Sequence, residues 1–193
     1  MMVCRELPLH AADLPIIVAP LGASAVLVLG VPTSPLAQPW PVVGGNVIST
    51  LVGVTAFRMI PDATLAAGVA VGGAILVMSL FRCLHPPGGA AALTAVIGSQ
   101  SIHAAGYAFA FAPVALNSIA LVSLGMFYNR ATGHSYPHIP DPLPPAAERL
   151  PRIHSADIDA ALEEMHEGFD INREDLEALL VRAELHAMER RKG

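Results

Sequence analysis

The chain has 193 residues, of which 53% are hydrophobic and only 14% are charged, and its formal net charge is −5. Its mean hydropathy of +0.54 lies outside the range of ordinary soluble globular domains. The acidic balance argues against nucleic acid as a partner, because that binding depends on clustered Lys and Arg. The charges are also uneven: residues 14–57 and 83–129 contain no Asp, Glu, Lys or Arg, whereas residues 131–193 contain seven basic and thirteen acidic residues. The sequence therefore combines a membrane body with an acidic soluble tail.

Apolar segments of membrane-spanning length come first along the chain. A transmembrane helix needs about 20 apolar residues, with a range of about 17–25. The candidate spans are residues 14–31, 41–57, 63–81 and 104–128. Pro20 and Gly22 interrupt the first of them, and residues 87–98 are too short to span. Gly68 and Gly72 form a GxxxG pair, for which we expect packing within the chain rather than a dimer seam. The prediction is an all-α fold, a polytopic transmembrane helical bundle.

Two parts of this body resemble each other. PLGASAV at residues 20–26 matches PGGAAAL at residues 87–93, with Pro, Gly and two Ala identical. The later correspondences pair Pro41, Asn46 and Arg58 with Pro113, Asn117 and Arg130. We predict an internal repeat in which each unit has a short helix opening at a Pro/Gly break, a loop and a longer helix. Because residues 63–81 precede only the second unit, we expect that a helix is missing before the first.

The stretch RCLHPPGGAAALTAVIG, residues 82–98, places a break between apolar segments. Irregular backbone at membrane depth is tolerated only where protein or a water-filled cavity covers it. Helices that begin at such a break point their N-terminal N–H groups and the positive end of their dipole inwards, which favours anions. We therefore expect two half-helix N-termini, near Gly22 and Gly89, to converge on one anion site. The candidate substrate-binding residues are His85, Gly88, Gly89, Gly22, Ser24, Asn46, Asn117 and Arg82, with Thr94 nearby.

Each polar residue of this set also has a structural interpretation. His85 either donates to an anion or carries a coupled proton, or else it bonds a carbonyl that the proline break leaves free. Asn46 and Asn117 either contact the substrate or hold helices together. Arg82 either faces the site or extends to the membrane interface.

The tail divides into a connector and a helical hairpin. Residues 131–154 contain six prolines and predict a stiff extended connector. Residues 155–193 predict an amphipathic hairpin with Ser155 and Asn172 as helix caps. Its expected apolar faces are Ile158, Leu162 and Met165 on the first helix, and Leu176, Leu179, Leu180 and Ala183 on the second. Because such a hairpin is too small to bury a core alone, we expect it to pack on a partner protein or a further domain.

Motifs for covalent chemistry and for cofactors are missing from the sequence. The tail histidines have no ligand-like spacing with cysteines or acids, so no metal site is expected. Cys4 and Cys83 suggest neither a disulfide framework nor a metal site. Because there is also no nucleophile elbow, Walker loop or dinucleotide fingerprint, we expect no cofactor and no enzyme activity.

Three motifs in a fixed order resemble one family. They are APLGASAVLVLGVPTSPLAQPWPVVGGN at residues 19–46, RCLHPPGGAAALTAV at residues 82–96 and YPH at residues 136–138. Together they resemble the HPP family of integral membrane proteins, named for the His-Pro-Pro of residues 85–87. The resemblance covers about residues 14–138 and implies a small bundle of about four transmembrane helices. Family members of photosynthetic organisms are associated with nitrite transport, so the resemblance implies a small-anion transporter.

This sequence departs from the family pattern at both ends. Family members typically begin with a glycine-containing transmembrane helix ahead of the PLGAS segment, and the repeat independently predicts that helix. The tail resembles the linker that leads into paired CBS domains in longer bacterial homologues. We therefore expect residues 1–130 to be an HPP-type transmembrane domain, followed by the connector and by a hairpin without CBS domains.

Two functions follow as hypotheses. The first is a transporter or channel for a small inorganic anion, with nitrite as one candidate. The second is a non-transporting membrane anchor or signalling module that acts through the hairpin. We expect a multi-pass protein of the bacterial inner membrane with a cytoplasmic C-terminus. The sequence leaves open whether the chain forms a homo-oligomer. If residues 87–98 are re-entrant, Arg58 and Arg130 share a membrane face and the repeats are parallel; if they cross, the repeats are inverted.

Overall fold

The structure, a computed structural model, describes residues 14–140, 155–165 and 171–192. Every regular element in these ranges is helical, which confirms the predicted all-α fold. The helices are α1 (Leu14–Gly30), α2 (Pro39–Met59), α3 (Ala63–Leu80), α4 (Pro86–Ile97), α5 (Gln100–Ala105), α6 (Leu116–Ala131), α7 (Ser155–Met165) and α8 (Arg173–Lys192). A 3₁₀ turn covers Pro35–Ala37, and a π-helical turn covers Ala110–Ala115. The chain forms two compact units, Met1–Pro137 and His138–Gly193, which are described in turn.

Three helical stretches of the described residues are long and apolar enough to cross a membrane. They are Pro39–Met59, Ala63–Leu80 and Ala110–Ala131. They correspond to three of the predicted spans, although the third begins later than expected. The reason is that α5 and Gly106, whose φ of +54° turns the chain, come before it. Pro86–Ile97 is a short apolar helix, as its length predicts.

The first helix differs from the prediction at its proline. Helix α1 begins at Leu14 and carries Pro20 inside it, so the expected half-helix N-terminus at Pro20–Gly22 is wrong. The amide groups near Gly22 lie within a helix that has already begun. Within this helix the Ser24 hydroxyl oxygen lies 3.1 Å from the carbonyl oxygen of Pro20.

Close helix contacts depend on particular glycines. A Cβ on Gly53 would lie 2.9 Å from the Cα of Ala92 on α4, and closer still to its carbonyl oxygen. A Cβ on Gly45 would lie 2.6 Å from the Cβ of His85. By contrast, a Cβ on Gly68 or Gly72 would meet nothing within 4 Å. The expectation that the GxxxG pair packs within the chain is therefore wrong, because this face of α3 points outward.

Contacts between helix ends fix the helix directions. At one end, Trp40 Nε1 donates to the carbonyl oxygen of Phe81 over 3.2 Å, and Asn129 Nδ2 donates to that of Val28 over 3.0 Å. We call this the groove end; α1, α3 and α6 finish here, whereas α2 and α4 begin here. At the opposite end, which we call the closed end, the Arg58 guanidinium lies 4.9 Å from the centre of the Tyr107 ring. Helices α1 and α6 therefore run antiparallel to α2 and α4.

This arrangement places Arg58 and Arg130 at opposite ends of the bundle, since Arg58 lies in the last turn of α2 and Arg130 in the last turn of α6. Of the two topologies that the sequence leaves open, the one with both arginines on the same face does not match the structure. Helix α4 runs from the groove end toward the closed end as part of the bundle.

The membrane unit extends past the end of α6. Tyr136 is buried, and its hydroxyl donates to the carbonyl oxygen of Ala37 over 2.8 Å. The proline-rich connector therefore does not begin at residue 131 as predicted, because the chain packs on the bundle as far as Pro137. The remainder of the predicted connector, residues 141–154, lies outside the described residues.

The second unit contains α7 and α8, the two predicted tail helices. Arg173 forms a salt bridge with Asp159, and His138 Nε2 lies 2.6 Å from Asp175 Oδ2. Ile158 and Ala178 are buried, whereas Leu179 is 58% exposed. The predicted apolar face of α8 is therefore wrong at Leu179, because the helix is rotated so that the neighbouring Ala178 points inwards. The side chains of Ser155 and Met165 lie outside the described ones.

Candidate functional site

His85 precedes α4 and lies inside the membrane unit. It is the N-cap residue of that helix, and the two prolines that follow occupy first-turn positions where no backbone donor is needed. Its side chain is 0% exposed. The ring Nδ1 lies 2.8 Å from the Leu36 carbonyl oxygen, and Nε2 lies 2.8 Å from Ser24 Oγ. Because a carbonyl only accepts hydrogen bonds, Nδ1 carries a proton, and Nε2 of the neutral ring accepts from the Ser24 hydroxyl.

The buried side-chain amide of Asn46 extends this arrangement. Asn46 on α2 is 1% exposed, and its Nδ2 donates to the Val42 carbonyl oxygen over 2.9 Å. Nδ2 also lies 3.3 Å from Ser24 Oγ and 3.3 Å from Ser118 Oγ. Its Oδ1 has no hydrogen-bond partner among the described residues. The polar chain, as we name it, is Leu36 C=O, His85, Ser24, Asn46 and Ser118.

A small cavity lies next to the polar chain. It has a volume of about 10 Å³, which is about the space that one water molecule needs. The lining residues are Pro20, Leu21, Asn46, Ala91, Thr94, Phe109 and Val114. The polar side chains of this lining come from Asn46 and Thr94, so α2 and α4 supply the hydrogen-bonding groups while α1 and the π-helical turn supply apolar walls.

An open groove lies on the other side of His85. It has a volume of about 340 Å³ and is lined by Pro35, Leu36, Pro41, Ser79, Arg82 and Leu84. Arg82 is exposed and has a φ of +52°. Leu36 connects the two sites, because it lines the groove while its carbonyl oxygen accepts from His85. The polar chain therefore runs from the wall of an exposed, cationic groove to the wall of a buried cavity.

Apolar and aromatic side chains cover the cavity toward the closed end. Ile102, Phe109 and Val114 form a buried cluster with Leu21 against it. Further out, the rings of Phe57 and His103 stack with their centres 3.7 Å apart. No comparable row of hydrogen-bonding groups continues through this cluster in the described residues.

The structure brings only some of the predicted site residues together. His85, Ser24 and Asn46 join in the polar chain, Arg82 lines the groove, and Thr94 lines the cavity. Asn117 is half-buried, and it is its neighbour Ser118 that contacts Asn46. Because successive residues of a helix point about 100° apart, a shift of one position decides which side chain faces inwards.

The glycines of the predicted anion site have other positions. A Cβ on Gly22 would meet nothing within 4 Å, and the residue is exposed. A Cβ on Gly89 would lie 3.8 Å from Val71 of α3. A Cβ on Gly88 would lie 2.7 Å from Ser49 Oγ, so Gly88 permits close packing of α4 on α2. The expected convergence of two helix N-termini near Gly22 and Gly89 is therefore wrong, and side chains of the polar chain occupy the interior instead.

Sequence reasoning missed three groups of the site. Ser118 gives no periodic pattern in an apolar helix, the Leu36 carbonyl is a backbone group, and Phe109 resembles any other apolar residue. A group of three or more His, Cys, Asp or Glu side chains that would hold a metal does not occur within the described ranges.

Comparison with known proteins agrees with the motifs. The family model for the HPP transmembrane region matches residues 1–137. A transmembrane protein of Dictyostelium discoideum is 34% identical over 131 residues, which are 65% of this chain and 46% of that protein. Another from the same organism is 37% identical over 120 residues, 60% of this chain and 38% of that protein. The chain therefore spans less than half the length of these curated relatives, and no solved structure matches it.

The predicted resemblance is thereby confirmed over the unit that holds the groove, the polar chain and the cavity. Its apolar helices are those of an integral membrane protein, and the chain belongs to the HPP transmembrane family.

Proposed function

We propose that this protein transports a small inorganic anion across a membrane, with nitrite as the first ion to test. The observation that carries the proposal is the buried polar chain between the groove and the cavity. Burying polar side chains inside a membrane bundle costs free energy. Ionisable residues at such positions are rare and commonly mark the path of a solute or ion. We propose that His85 and Asn46 contact the substrate, and that no covalent chemistry takes place.

The charge distribution supports an anion over a cation. Between residues 14 and 137 the acidic side chains are limited to Asp62. Asp62 Oδ1 accepts from the Leu65 amide over 2.7 Å as the N-cap of α3, at the closed end. Among the residues that the structure describes, the groove is lined by Arg82 and by no carboxylate. An open groove with one sign of charge raises the local concentration of the opposite ion.

The helix directions support alternating access. Helices α1 and α2 run antiparallel to α4 and α6, respectively, as expected for an inverted repeat whose halves meet near the middle of the bilayer. Asn46 of α2 and Ser118 in the first turn of α6 contact each other between the two halves. We propose that the two halves move against each other and expose the cavity first to the groove end and then to the closed end.

The arginines support an orientation. Arg82 and Arg130 lie at the groove end, whereas Arg58 lies at the closed end together with Asp62. Cytoplasmic loops carry the excess of Lys and Arg. We therefore propose that the groove end, where the chain leaves the bundle at Pro137, faces the cytoplasm. As the host membrane we propose a bacterial plasma membrane.

Flux through the purified protein tests this proposal. The full chain is reconstituted into liposomes, and nitrite uptake is compared with that of protein-free liposomes and of the variants His85→Ala and His134→Ala. Because His134 is exposed and outside the polar chain, its variant is a matched control. We expect protein-dependent uptake that falls about tenfold in His85→Ala, as for loss of a buried hydrogen-bonding group. Equal uptake by His85→Ala and the unchanged chain would contradict the proposal.

A second candidate is a membrane anchor or signalling module that acts through the tail. Leu179 on α8 is 58% exposed, as expected of a helix that binds a partner. If no tested anion is transported and a defined partner binds α7 and α8 but not a Leu179→Lys variant, this second function is favoured.

A further inference from the structure

Arg82 occupies a backbone position that is usually glycine. At the end of α3 the Cys83 amide donates to the Met78 carbonyl oxygen over 2.9 Å. One residue earlier, the Arg82 amide donates to the Ser79 carbonyl oxygen over 3.2 Å. These two bonds form a Schellman motif, in which the residue with positive φ, here Arg82, is most often glycine. Because a side chain strains the backbone at such a position, the helix end alone does not account for an arginine.

The guanidinium group of Arg82 is available for a ligand. It forms no hydrogen bond or ion pair with any residue that the structure describes. The acidic side chain nearest to it in sequence, that of Asp62, lies at the closed end of the bundle. A guanidinium presents a rigid fork of N–H donors that matches two oxygens of one phosphate. Its position at the wall of the groove therefore favours an oxyanion that binds from outside the chain.

The surroundings of the groove are those of a membrane interface. The exposed ring of Trp40 donates its N–H to the Phe81 carbonyl oxygen, and amphipathic rings of this kind lie at the level of the lipid headgroups. The apolar side chains of Leu80, Phe81 and Leu84 are also exposed, and Leu84 lines the groove itself. One unpaired arginine beside exposed apolar side chains matches a ligand with an anionic head and hydrocarbon chains.

We infer that the groove binds the headgroup of an anionic phospholipid, whose phosphate oxygens accept hydrogen bonds from Arg82 while its acyl chains lie along the exposed apolar side chains at the end of α3. The volume of about 340 Å³ falls in the range of small-molecule sites, about 300–1,000 Å³. Basic pockets between transmembrane helices bind anionic headgroups in this way. The inference does not depend on the transport proposal. Because lipid phosphate and a solute anion would use the same guanidinium, they exclude each other at Arg82.

Trp40 provides the reporter for a test, because it is the only tryptophan of the chain and bonds to the residue before Arg82. The full chain is reconstituted in phosphatidylcholine vesicles, into which phosphatidylglycerol or phosphatidylcholine with bromine near the headgroup is titrated. Bromine quenches tryptophan fluorescence on close contact, so the two quenching curves give the relative affinities of the two lipids. We expect phosphatidylglycerol to be preferred about fivefold, as for one basic side chain and one anionic lipid, and less in high salt.

Substitutions at the helix end identify the group responsible. Arg82→Gly removes the guanidinium and introduces the residue that the motif favours. We expect this variant to melt at an unchanged or higher temperature and to bind the two lipids equally. Arg82→Lys keeps the charge and should retain a preference for phosphatidylglycerol. Arg130→Gln is the matched control, because Arg130 is exposed at the same end without lining the groove, and it should keep the full preference.

The outcomes are distinct from those of the transport assay. The lipid site would be overturned by an equal preference in Arg82→Gly and the unchanged chain, or by no preference in the unchanged chain. A large excess of soluble glycerol phosphate should not relieve the quenching by phosphatidylglycerol; relief would show a site for free phosphate and overturn the lipid assignment as well. None of these measurements follows flux, so failure of the lipid site leaves the transport proposal intact, and absence of nitrite uptake leaves the lipid site intact.

Discussion

The two ends of the membrane unit differ in what they offer to a solute. The groove end has an open, arginine-lined groove that a hydrogen-bonded histidine connects to the interior. The closed end has a packed cluster of Ile102, Phe109 and Val114 beneath the Arg58–Tyr107 contact. Under the proposed transport function, this difference corresponds to a resting state that is open at the groove end and blocked at the closed end. Each prediction below pairs a substitution with a matched control variant.

The largest effect is expected at the closed end. Phe109 is 1% exposed, whereas Phe111, two residues later, is 58% exposed. We expect Phe109→Ala to lower the free energy of unfolding by about 3–5 kcal/mol, because truncation of a buried aromatic ring leaves a cavity. We also expect it to increase passive anion leak, since the ring lines the cavity.

Phe111→Ala is the matched control and should change neither quantity by much. Thermal melts in detergent and leak from preloaded liposomes measure the two effects. If both variants behave alike, Phe109 does not close the cavity.

The next effect concerns the packing that both ends share. We expect Gly53→Ala to destabilise the bundle by about 1–3 kcal/mol, because the new methyl group overlaps the Ala92 backbone. Gly68→Ala should be neutral or slightly stabilising, since a Cβ there meets nothing within 4 Å and alanine favours helix. Thermal melts in the same detergent measure the stability of the two variants. A loss of stability in Gly68→Ala as large as that in Gly53→Ala would argue against this helix arrangement.

A smaller effect is expected at the groove. We expect Arg82→Gln to slow initial uptake at low substrate concentration by about tenfold at low ionic strength, and by less in high salt, because steering by a single charge is screened. Arg130→Gln is the control, since this residue is exposed at the same end but does not line the groove. Equal rates for the two variants would mean that Arg82 does not attract the anion.

The smallest effect concerns the segment that closes the unit. Burial raises the pKa of Tyr136 to about 12, above its ordinary value of about 10. The fold therefore favours the protonated phenol, and this contribution to stability is complete below about pH 10 and is lost as the pH rises toward 12. We expect Tyr136→Phe to cost about 1 kcal/mol at neutral pH, through the bond to Ala37, and to flatten the melting temperature between pH 9 and 11.5. Tyr128→Phe, at an exposed position, should leave both unchanged.

Much of the fold follows from the sequence because membrane constraints are strong. The charge-free runs and the Pro86–Pro87 pair predict α2, α3 and the start of α4 within a few residues. The course of α1 could not be predicted in the same way, because Pro20 lies inside the helix, where neighbouring helices and polar side chains compensate for the lost donor. The directions of α2 and α6 depend on how α4 is placed, which no local pattern contains.

The sequence predicts site residues only where a polar side chain interrupts an apolar segment, because such residues are rare there. His85 and Asn46 stand out as polar residues within apolar sequence, and both are part of the polar chain. The prediction selected Asn117 rather than Ser118 because asparagine is the more polar residue. The rotation of the helix, however, points Ser118 toward Asn46. The glycines were misassigned since Gly88 serves close packing and Gly22 is exposed, and only three-dimensional contacts distinguish these roles from anion binding.

Sided labelling of the cavity tests the central claim most directly. In a chain with Cys4 and Cys83 replaced by serine, Thr94→Cys places one thiol at the cavity wall, and a small charged thiol reagent is applied to one face of oriented liposomes at a time. We predict labelling from the groove end, slowed by nitrite, and little labelling from the closed end in the absence of substrate. Equal labelling from both faces, or faster labelling from the closed end, would contradict the account.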